Sequence, residues 1–213
     1  MSKLSIEVVY AEDDFVVVSK PSGLLSVSGK GPENQHCVTS IVRELFPDSI
    51  EQPSVHRLDM DTSGLLVLGL TKEVHRNLSI QFQERRVKKR YEALLDGVVV
   101  GETGTIELPF RLDVENRPHQ IYDPVYGKLG VTHWQVMDCF DNITRISFKP
   151  VTGRTHQLRV HAAHELGLGI PIVGDPLYGN GTGSGQLKLH AAELIFFHPH
   201  HGKLLHFTSK VPF

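Results

Sequence analysis

The sequence has few cysteines and no long apolar segment, and each shortage argues against a class of protein. Its two cysteines, Cys37 and Cys139, form no CxxC pair, which argues against a disulfide framework and suits a reducing compartment. No apolar run approaches the roughly 20 residues that span a bilayer. The N-terminus reaches acidic residues too early for a signal peptide. We therefore expect a soluble, cytoplasmic protein with no membrane partner.

An excess of charge of one sign is also lacking. The formal net charge of the 213 residues is -2, so the molecule as a whole does not attract polyanions. One local exception is ERRVKKR (84–90), in which every position after the glutamate except Val87 is Arg or Lys. This run fits either a solvated helix end or a phosphate-binding patch.

The order of predicted elements favours an α+β fold with a mixed, largely antiparallel sheet flanked by helices. Strands are predicted at 6–10, 15–19, 65–68, 91–100, 187–197 and 203–211, with a hairpin of 131–140 and 142–151. Helical spacing predicts one helix through Val38–Leu45, one that begins after Thr71, and one from Thr155 to Leu166. No repeat or linker interrupts the chain, so we expect a single catalytic domain (1–213) with two lobes around one cleft.

Four segments carry more polar chemistry than a scaffold needs: HRLDMDTSG (56–64), KKRYEA (88–93), PVTGRTHQLRVH (150–161) and GIPIVGDPLYG (169–179). The first places an arginine and an aspartate directly before an apolar strand. A loop that ends on a rigid strand is a good mount for a reactive group, although it is also an ordinary place for a surface turn. The stretch 167–185 is predicted to be a functional loop with a mobile glycine-rich end.

These segments together resemble the RluA-type pseudouridine synthases. The patterns HRLDxxTSG and TGRxHQLRxH are matched in full, and KPSGLLSV (20–27), PIxGDxxYG (171–179) and LHA (189–191) also occur in order. The resemblance implies the pseudouridine synthase catalytic fold with a central active-site cleft, and an isomerase that converts uridine to pseudouridine in structured RNA. Because isomerisation gains and loses no atoms, we expect no cofactor and no metal.

The resemblance also implies roles for three catalytic residues. Asp59, the aspartate of HRLD, is the ionised carboxylate that acts on the base or the sugar. A carboxylate in an apolar pocket tends to take up a proton, and an arginine beside it restores the anion. The family places that arginine at Arg159. Tyr91 stacks on the target base and can transfer a proton.

Other residues are expected to hold the RNA. Arg57 helps to fill the place that the target base leaves when it is flipped out of its stack. His56 is expected to support the site, and Arg154 to contact a phosphate or the fold. The basic run contributes phosphate contacts through Arg85, Arg86, Lys88 and Lys89. Two rival acids, Asp61 and Asp175, are interpreted as turn and loop residues.

Three alternatives stay open at this point. The 13 histidines include HAAH (161–164) and HPHH (198–201), which could serve a metal-dependent hydrolase, although neither matches a metal motif. A noncatalytic RNA-binding module would explain the basic run, but the sequence lacks the aromatic RNA-binding motifs of such modules. Asp59 with Asp61 could form a glycosidase pair, for which no specific motif exists.

The substrate is the least constrained expectation. Because KPSG arrives at residue 20, we expect no N-terminal S4-type RNA-binding domain. The short chain and NRPHQ (116–120) resemble the subgroup that modifies uridine 32 of a transfer RNA anticodon stem-loop and uridine 746 of a 23S ribosomal RNA stem-loop. Other short relatives modify a different transfer RNA position. Gly69 and GKLGVTHW (127–134) depart from the family pattern outside the catalytic motifs, so these departures bear on the substrate and not on the chemistry. We expect a monomer.

Overall fold

The computed structural model describes residues 4–213, in which ten strands and three α-helices occur. The strands are β1 (Glu7–Ala11), β2 (Phe15–Lys20), β3 (Ser63–Gly69), β4 (Lys88–Leu95), β5 (Thr103–Leu112), β6 (Gln120–Tyr122), β7 (Lys128–Phe140), β8 (Ile143–Pro150), β9 (Leu189–Phe197) and β10 (Leu204–Thr208). The helices are α1 (Val38–Leu45), α2 (Lys72–Gln83) and α3 (Gln157–Ala163), and Pro32–Asn34 form a short 3-10 turn. The chain divides into two compact units.

The first unit extends to Lys89 and also includes His190–Pro212. Its strands pair in the order β1, β2, β3, β9 and β10, and the pairing of β3 with β9 is the parallel one. Alternate side chains of β2 and β3 meet two residues of α2 and two of β9 in one core, which comprises Phe15, Val17, Leu65, Val67, Val74, Leu78, Val87, Leu194 and Phe196. The buried run of β3 therefore forms the centre of this unit.

The second unit comprises Arg90–Leu189 together with Phe213. Its strands pair antiparallel in the order β4, β8, β7, β5 and β6. Inward-facing residues of β5, namely Ile106, Leu108 and Phe110, form a small core with Val160 of α3. This contact fixes α3, which carries part of the TGRTHQLRVH motif, against the sheet.

Most predicted elements are confirmed, including the helix that begins after Thr71, whose hydroxyl accepts a hydrogen bond from the Val74 amide (3.4 Å). The predicted helix from Thr155 to Leu166 was too long at both ends. His156 lies in the left-handed region (φ 56°), so α3 begins only at Gln157. The chain then turns back after Ala163, and the amides of residues 168 and 170 take the carbonyls of residues 161 and 162.

Two strands were not predicted. β5 contains Gly104 and Pro109, which normally interrupt strands, and β6 is only three residues long. Gly104 pairs with Trp134 of β7, and a Cβ atom at position 104 would lie 2.7 Å from the indole ring. The indole ring of Trp134 therefore fills the space that a side chain at position 104 would occupy. The local sequence of β5 does not reveal this compensation.

The basic run, which fitted either a solvated helix end or a phosphate-binding patch, lies after α2 and not in its last turn. α2 ends at Gln83, and the last three residues of the run belong to β4, which ends at Leu95 rather than at Val100. Strand pairing explains the difference, because β4 continues only as far as its ladder with β8, from Tyr91 to Leu95.

Candidate active site

The HRLD turn is held on both sides by backbone hydrogen bonds. The Ser26 hydroxyl donates to the Leu58 carbonyl (2.7 Å) and accepts from the Leu58 amide (3.1 Å). The Thr62 amide donates to the Asp59 carbonyl (3.1 Å), and the Gly23 amide donates to the Met60 carbonyl (2.9 Å). These bonds fix the backbone around Asp59 against the KPSGLLSV segment, which explains why both motifs occur together.

Lys20 lies beneath this turn and was missed by the sequence reasoning. The side chain is 1% exposed, and its Nζ donates to the carbonyls of Leu24 and Met60 (both 2.7 Å) and of Pro21 (3.0 Å). Burial lowers the pKa of Lys20 to about 7, against the opposing charges of Asp61 and Asp59. The sequence did contain a signal for a buried lysine at this position, because Lys20 ends an apolar strand directly before a proline.

The segment Arg57–Asp59 belongs to no helix or strand. Leu58 is buried, whereas Arg57 is exposed and Asp59 is half-buried. The nearby acid Asp61 is buried, and its carbonyl accepts a hydrogen bond from the Ser22 hydroxyl.

Gly64 brings the turn close to β9. Its φ of +109° is unfavourable for other residues, and a Cβ atom there would lie 2.3 Å from the Ala191 carbonyl oxygen. One residue earlier, the Ser63 hydroxyl and His190 Nδ1 are 2.8 Å apart. The TSG and LHA motifs are therefore in direct backbone and side-chain contact.

His56 supports the turn from the other side. Its Nε2 accepts a hydrogen bond from the Val67 amide (3.1 Å), and its ring stacks on Phe82 with 4.3 Å between the centroids. Burial, together with the charge of Lys89, lowers the pKa of His56 to about 3, so the ring is neutral at physiological pH. These contacts hold the His56 ring between the backbone of β3 and the Phe82 ring of α2.

The four cations of the basic run lie in different environments. Arg85 and Lys88 are exposed. Arg86 lies 4.9 Å from the centre of the Phe197 ring and 3.5 Å from a Glu84 oxygen. Lys89 is half-buried with its Nζ 6.0 Å from the Phe82 ring, and burial lowers its pKa. Arg85 and Lys88 are thus the two whose charges are most available to a ligand.

In the second unit, Arg159 is buried in a bidentate ion pair. Its Nε donates to Oδ2 of Asp175 (2.8 Å) and its Nη2 to Oδ1 (2.6 Å), and the two side chains are 3% and 0% exposed. Burial alone would raise the pKa of Asp175, but the hydrogen bonds and charge of Arg159, helped by two backbone amides, lower it. Asp175 was predicted only as a loop residue, and its pairing with Arg159 was not predicted.

The TGRTHQ turn before α3 is organised around Gln157. The amide oxygen of this side chain accepts from the Thr152 hydroxyl (2.7 Å) and the Arg154 amide (3.0 Å). Its nitrogen donates to the Val131 carbonyl (3.0 Å) and the Thr132 hydroxyl (2.9 Å). These bonds fix the turn. The Arg154 side chain, in the same turn, is exposed.

Tyr91 occupies a buried position on β4. Its side chain is 9% exposed, and its backbone pairs with Phe148 of β8. Most of the ring is therefore covered, and the residue is held by a regular antiparallel ladder. Such a position suits a group that must be rigid.

The HPHH segment bonds to acidic residues near the start of the chain. His198 Nε2 lies 3.0 Å from a Glu12 oxygen, and His200 bonds to Asp14. His161 of the HAAH segment is fully buried, and neither ring nitrogen has a hydrogen-bond partner within the described residues. Among residues 4–213, no group of three or more His, Cys, Asp or Glu side chains is arranged to hold a metal ion. Within the same range, no helix is long and apolar enough to cross a membrane.

Comparisons with known proteins identify the family. The RNA pseudouridylate synthase family profile matches residues 14–164. The chain is 43% identical to the dual-specificity RNA pseudouridine synthase RluA of Yersinia pestis, covering 97% of this chain and 99% of that protein. Identity to the protein of the same name from Escherichia coli K12 is 40%, over 97% of this chain and 93% of that one.

A solved structure gives the same result. Human RNA pseudouridylate synthase domain containing 1 aligns with a TM-score of 0.79 and 31% identity, covering 100% of this chain and 86% of that one. The chain therefore belongs to the RNA pseudouridylate synthase family, and it is an isomerase of uridine in RNA. The predicted family, reaction and α+β fold are confirmed.

Proposed function

We propose that this member of the family converts uridine 32 of a transfer RNA anticodon stem-loop and uridine 746 of a 23S ribosomal RNA stem-loop to pseudouridine. The observation that carries the proposal is 40–43% identity, over nearly the whole chain, to relatives named as dual-specificity synthases. The NRPHQ segment supports the same subgroup. We further propose that the enzyme acts as a monomer in the cytoplasm.

The reaction needs an ionised carboxylate, and we assign that role to Asp59. The bond between ribose C1′ and base N1 breaks, the base turns, and a new bond forms between C1′ and C5. The C5 proton is finally lost, and N1 gains one, so the atoms balance without any co-reactant. The hydrogen bonds of Ser26, Gly23 and Thr62 to the backbone of residues 58–60 support this assignment, because a reactive group must be held in position.

We assign Arg159 the role of the catalytic cation. A guanidinium stays charged at every working pH, and at 3% exposure its field is little screened by water. Asp175 holds the Nε and Nη2 edge of the guanidinium by two hydrogen bonds. These two bonds fix the orientation of the Arg159 guanidinium. A fixed orientation supports the catalytic role, because that role requires the cation to be held at a defined position.

We assign Tyr91 to contact with the target base and Arg57 to the space that the flipped base vacates. The buried, ladder-held position of Tyr91 supports the first role, and the exposed guanidinium of Arg57 beside the turn supports the second. Arg85 and Lys88 would contact phosphates, with Arg86 and Lys89 contributing less because they lie against aromatic rings. Arg154 is exposed and could also reach a phosphate.

The test is pseudouridine mapping in RNA from a strain that lacks the gene, followed by reaction of the purified enzyme with each stem-loop. We expect pseudouridine to disappear at both positions in the strain and to form at both in the reaction. Loss at a single, different transfer RNA position would overturn the dual specificity while leaving the family assignment intact.

A further inference from the structure

The connection between β5 and β6, residues 113–119, is an exposed loop with a fixed internal structure. The Asp113 carboxylate accepts from the amides of Glu115 (3.1 Å) and Asn116 (3.3 Å) and from the Asn116 side chain (2.9 Å). The Asp113 amide donates to the His119 carbonyl (2.9 Å), which closes the loop. Residues 114–118 are nevertheless exposed. We call this segment the 113–119 loop.

Two contacts tie the 113–119 loop to the GDPLYG segment. His119 Nε2 lies 3.2 Å from the Leu177 carbonyl, and its Nδ1 lies 2.8 Å from the Asn116 carbonyl. The amide of Gln120, directly after the loop, donates to the Tyr178 hydroxyl (2.8 Å). The His119 ring also meets the Tyr178 ring edge-to-face at 5.7 Å.

The same tyrosine contacts the catalytic cation. The Arg159 guanidinium carbon lies 5.3 Å from the centre of the Tyr178 ring. Oδ1 of Asp175, which holds Arg159, also accepts from the amides of Leu177 (2.8 Å) and Tyr178 (3.1 Å). A shift of the 113–119 loop would therefore move groups that touch Arg159 directly.

The loop presents one cation outward. Arg117 is exposed, and within residues 4–213 no hydrogen bond or ion pair engages its side chain. The Asp113 carboxylate is already occupied by three donors inside the loop. An exposed guanidinium on a loop of fixed shape is well suited to bind a phosphate in one orientation.

We propose that the 113–119 loop is a second RNA contact, in which Arg117 binds a backbone phosphate, and that Tyr178 is the positioning residue that couples this contact to Arg159. The proposal rests on the function proposed above. Binding of the phosphate holds the loop, whose His119 contacts the Leu177 carbonyl and the Tyr178 ring. Gln120, directly after the loop, donates to the Tyr178 hydroxyl, which also lies 2.9 Å from His156 Nδ1. The contact of Tyr178 with the guanidinium, which Asp175 already orients, is then further restrained when RNA is bound.

A double-mutant cycle of Arg117→Ala and Tyr178→Phe tests the coupling. Tyr178→Phe removes the hydroxyl and keeps the ring beside Arg159. Loss of a charge-assisted hydrogen bond should lower kcat/KM of the Arg117→Ala enzyme about tenfold, with part of the loss in the single-turnover rate at saturating RNA. In the Tyr178→Phe background the same change should lower the single-turnover rate at saturating RNA by less than about twofold, because the bond through the Tyr178 hydroxyl is already cut, whereas the loss of affinity should remain.

Two controls use positions without an assigned role. Glu115→Ala removes the other exposed charge of the 113–119 loop, and Tyr126→Phe removes the hydroxyl of an exposed tyrosine. Both should retain wild-type kcat/KM. His119→Leu cuts the contact to Leu177 and leaves Tyr178 intact, so it should reduce the Arg117→Ala effect as Tyr178→Phe does.

Additive effects in both backgrounds, or a loss from Arg117→Ala that is confined to KM, would overturn the coupling. An Arg117→Ala enzyme with unchanged kcat/KM would overturn the RNA contact itself. The wild-type reaction separates these results from a failure of the proposed function. If the wild-type enzyme forms no pseudouridine in either stem-loop, the substrate assignment is wrong before any variant is compared.

Discussion

At the scale of single residues, the protein holds its polar side chains at the candidate site by backbone contacts. Lys20, Ser26 and Gln157 each bond to main-chain groups of the HRLD or TGRTHQ turns. Asp59 and Arg159 could be chosen from the sequence because the motifs resemble a known family. Lys20 and Asp175 could not, since their importance depends on burial and on partners outside their own motifs.

The Asp59→Asn variant should form no detectable pseudouridine, because the amide keeps the shape of the side chain but lacks the negative charge that the reaction requires. RNA binding should stay within several-fold of wild type. The measurements are product formation by the purified variant and its affinity for a stem-loop. Retained turnover would refute Asp59 as the catalytic carboxylate.

Replacement of Asp175 should lower the free energy of unfolding. Asp175→Asn removes the negative charge of the buried pair with Arg159, and breaking a buried pair by removing one partner costs about 3–5 kcal/mol. The free energy of unfolding in urea measures the effect. Asp123→Asn is the matched control, since its partner Arg111 has a side chain that is 41% exposed and such pairs contribute at most about 1 kcal/mol. Equal costs for the two variants would contradict this account.

At the scale of elements, the sequence predicted those whose signal is local. Apolar spacing and the Thr71 cap identified α2, and alternating residues around Asp141-Asn142 identified the hairpin of β7 and β8. β5 was missed because Gly104 is compensated by Trp134 on another strand. α3 was overextended because the backbone of His156 and the returning chain, rather than helix propensity, set its ends.

The basic run (84–90) should dominate the salt dependence of RNA binding. Arg85 and Lys88 are exposed, and each phosphate contact contributes about 0.7–0.9 to the slope of log affinity against log salt. We expect the Arg85→Gln/Lys88→Gln enzyme to lose about twice that amount of slope, with little change in turnover at saturating RNA.

The control for this prediction is Arg43→Gln/Lys72→Gln, which removes two exposed positive charges from α1 and α2. This variant should retain the wild-type slope in the same salt series. Parallel slopes for wild type and the Arg85/Lys88 variant would mean that the basic run is only a solvated surface.

At the scale of the whole molecule, two buried histidines should make the folded state sensitive to acid. Burial lowers the pKa of His161 to about 4 and that of His56 to about 3. Unfolding restores ordinary values, so the unfolded chain binds more protons below about pH 6.5. Stability is therefore complete above that pH and should fall by up to about 1.4 kcal/mol per pH unit for each histidine as the pH decreases towards the folded values.

The His161→Leu variant separates the contribution of one of these groups. Both nitrogens of His161 are buried without partners, so an apolar replacement should leave the stability near pH 7 unchanged or raise it. Its loss of stability between pH 6.5 and 5 should be smaller than that of wild type. His133→Leu, at an exposed position of β7, is the control, and identical pH dependence of wild type and His161→Leu would contradict the prediction.

The close approach of Gly64 to Ala191 has a consequence for how this gene can vary. Any side chain at position 64 would overlap the Ala191 backbone, and the φ of +109° would strain it further. In a library that encodes all twenty amino acids at this codon, selection for the enzyme should return glycine alone. A library at codon 115, in the exposed part of the 113–119 loop, should return many residues. The difference between the two libraries would measure how strictly backbone geometry, rather than side-chain chemistry, constrains the sequence.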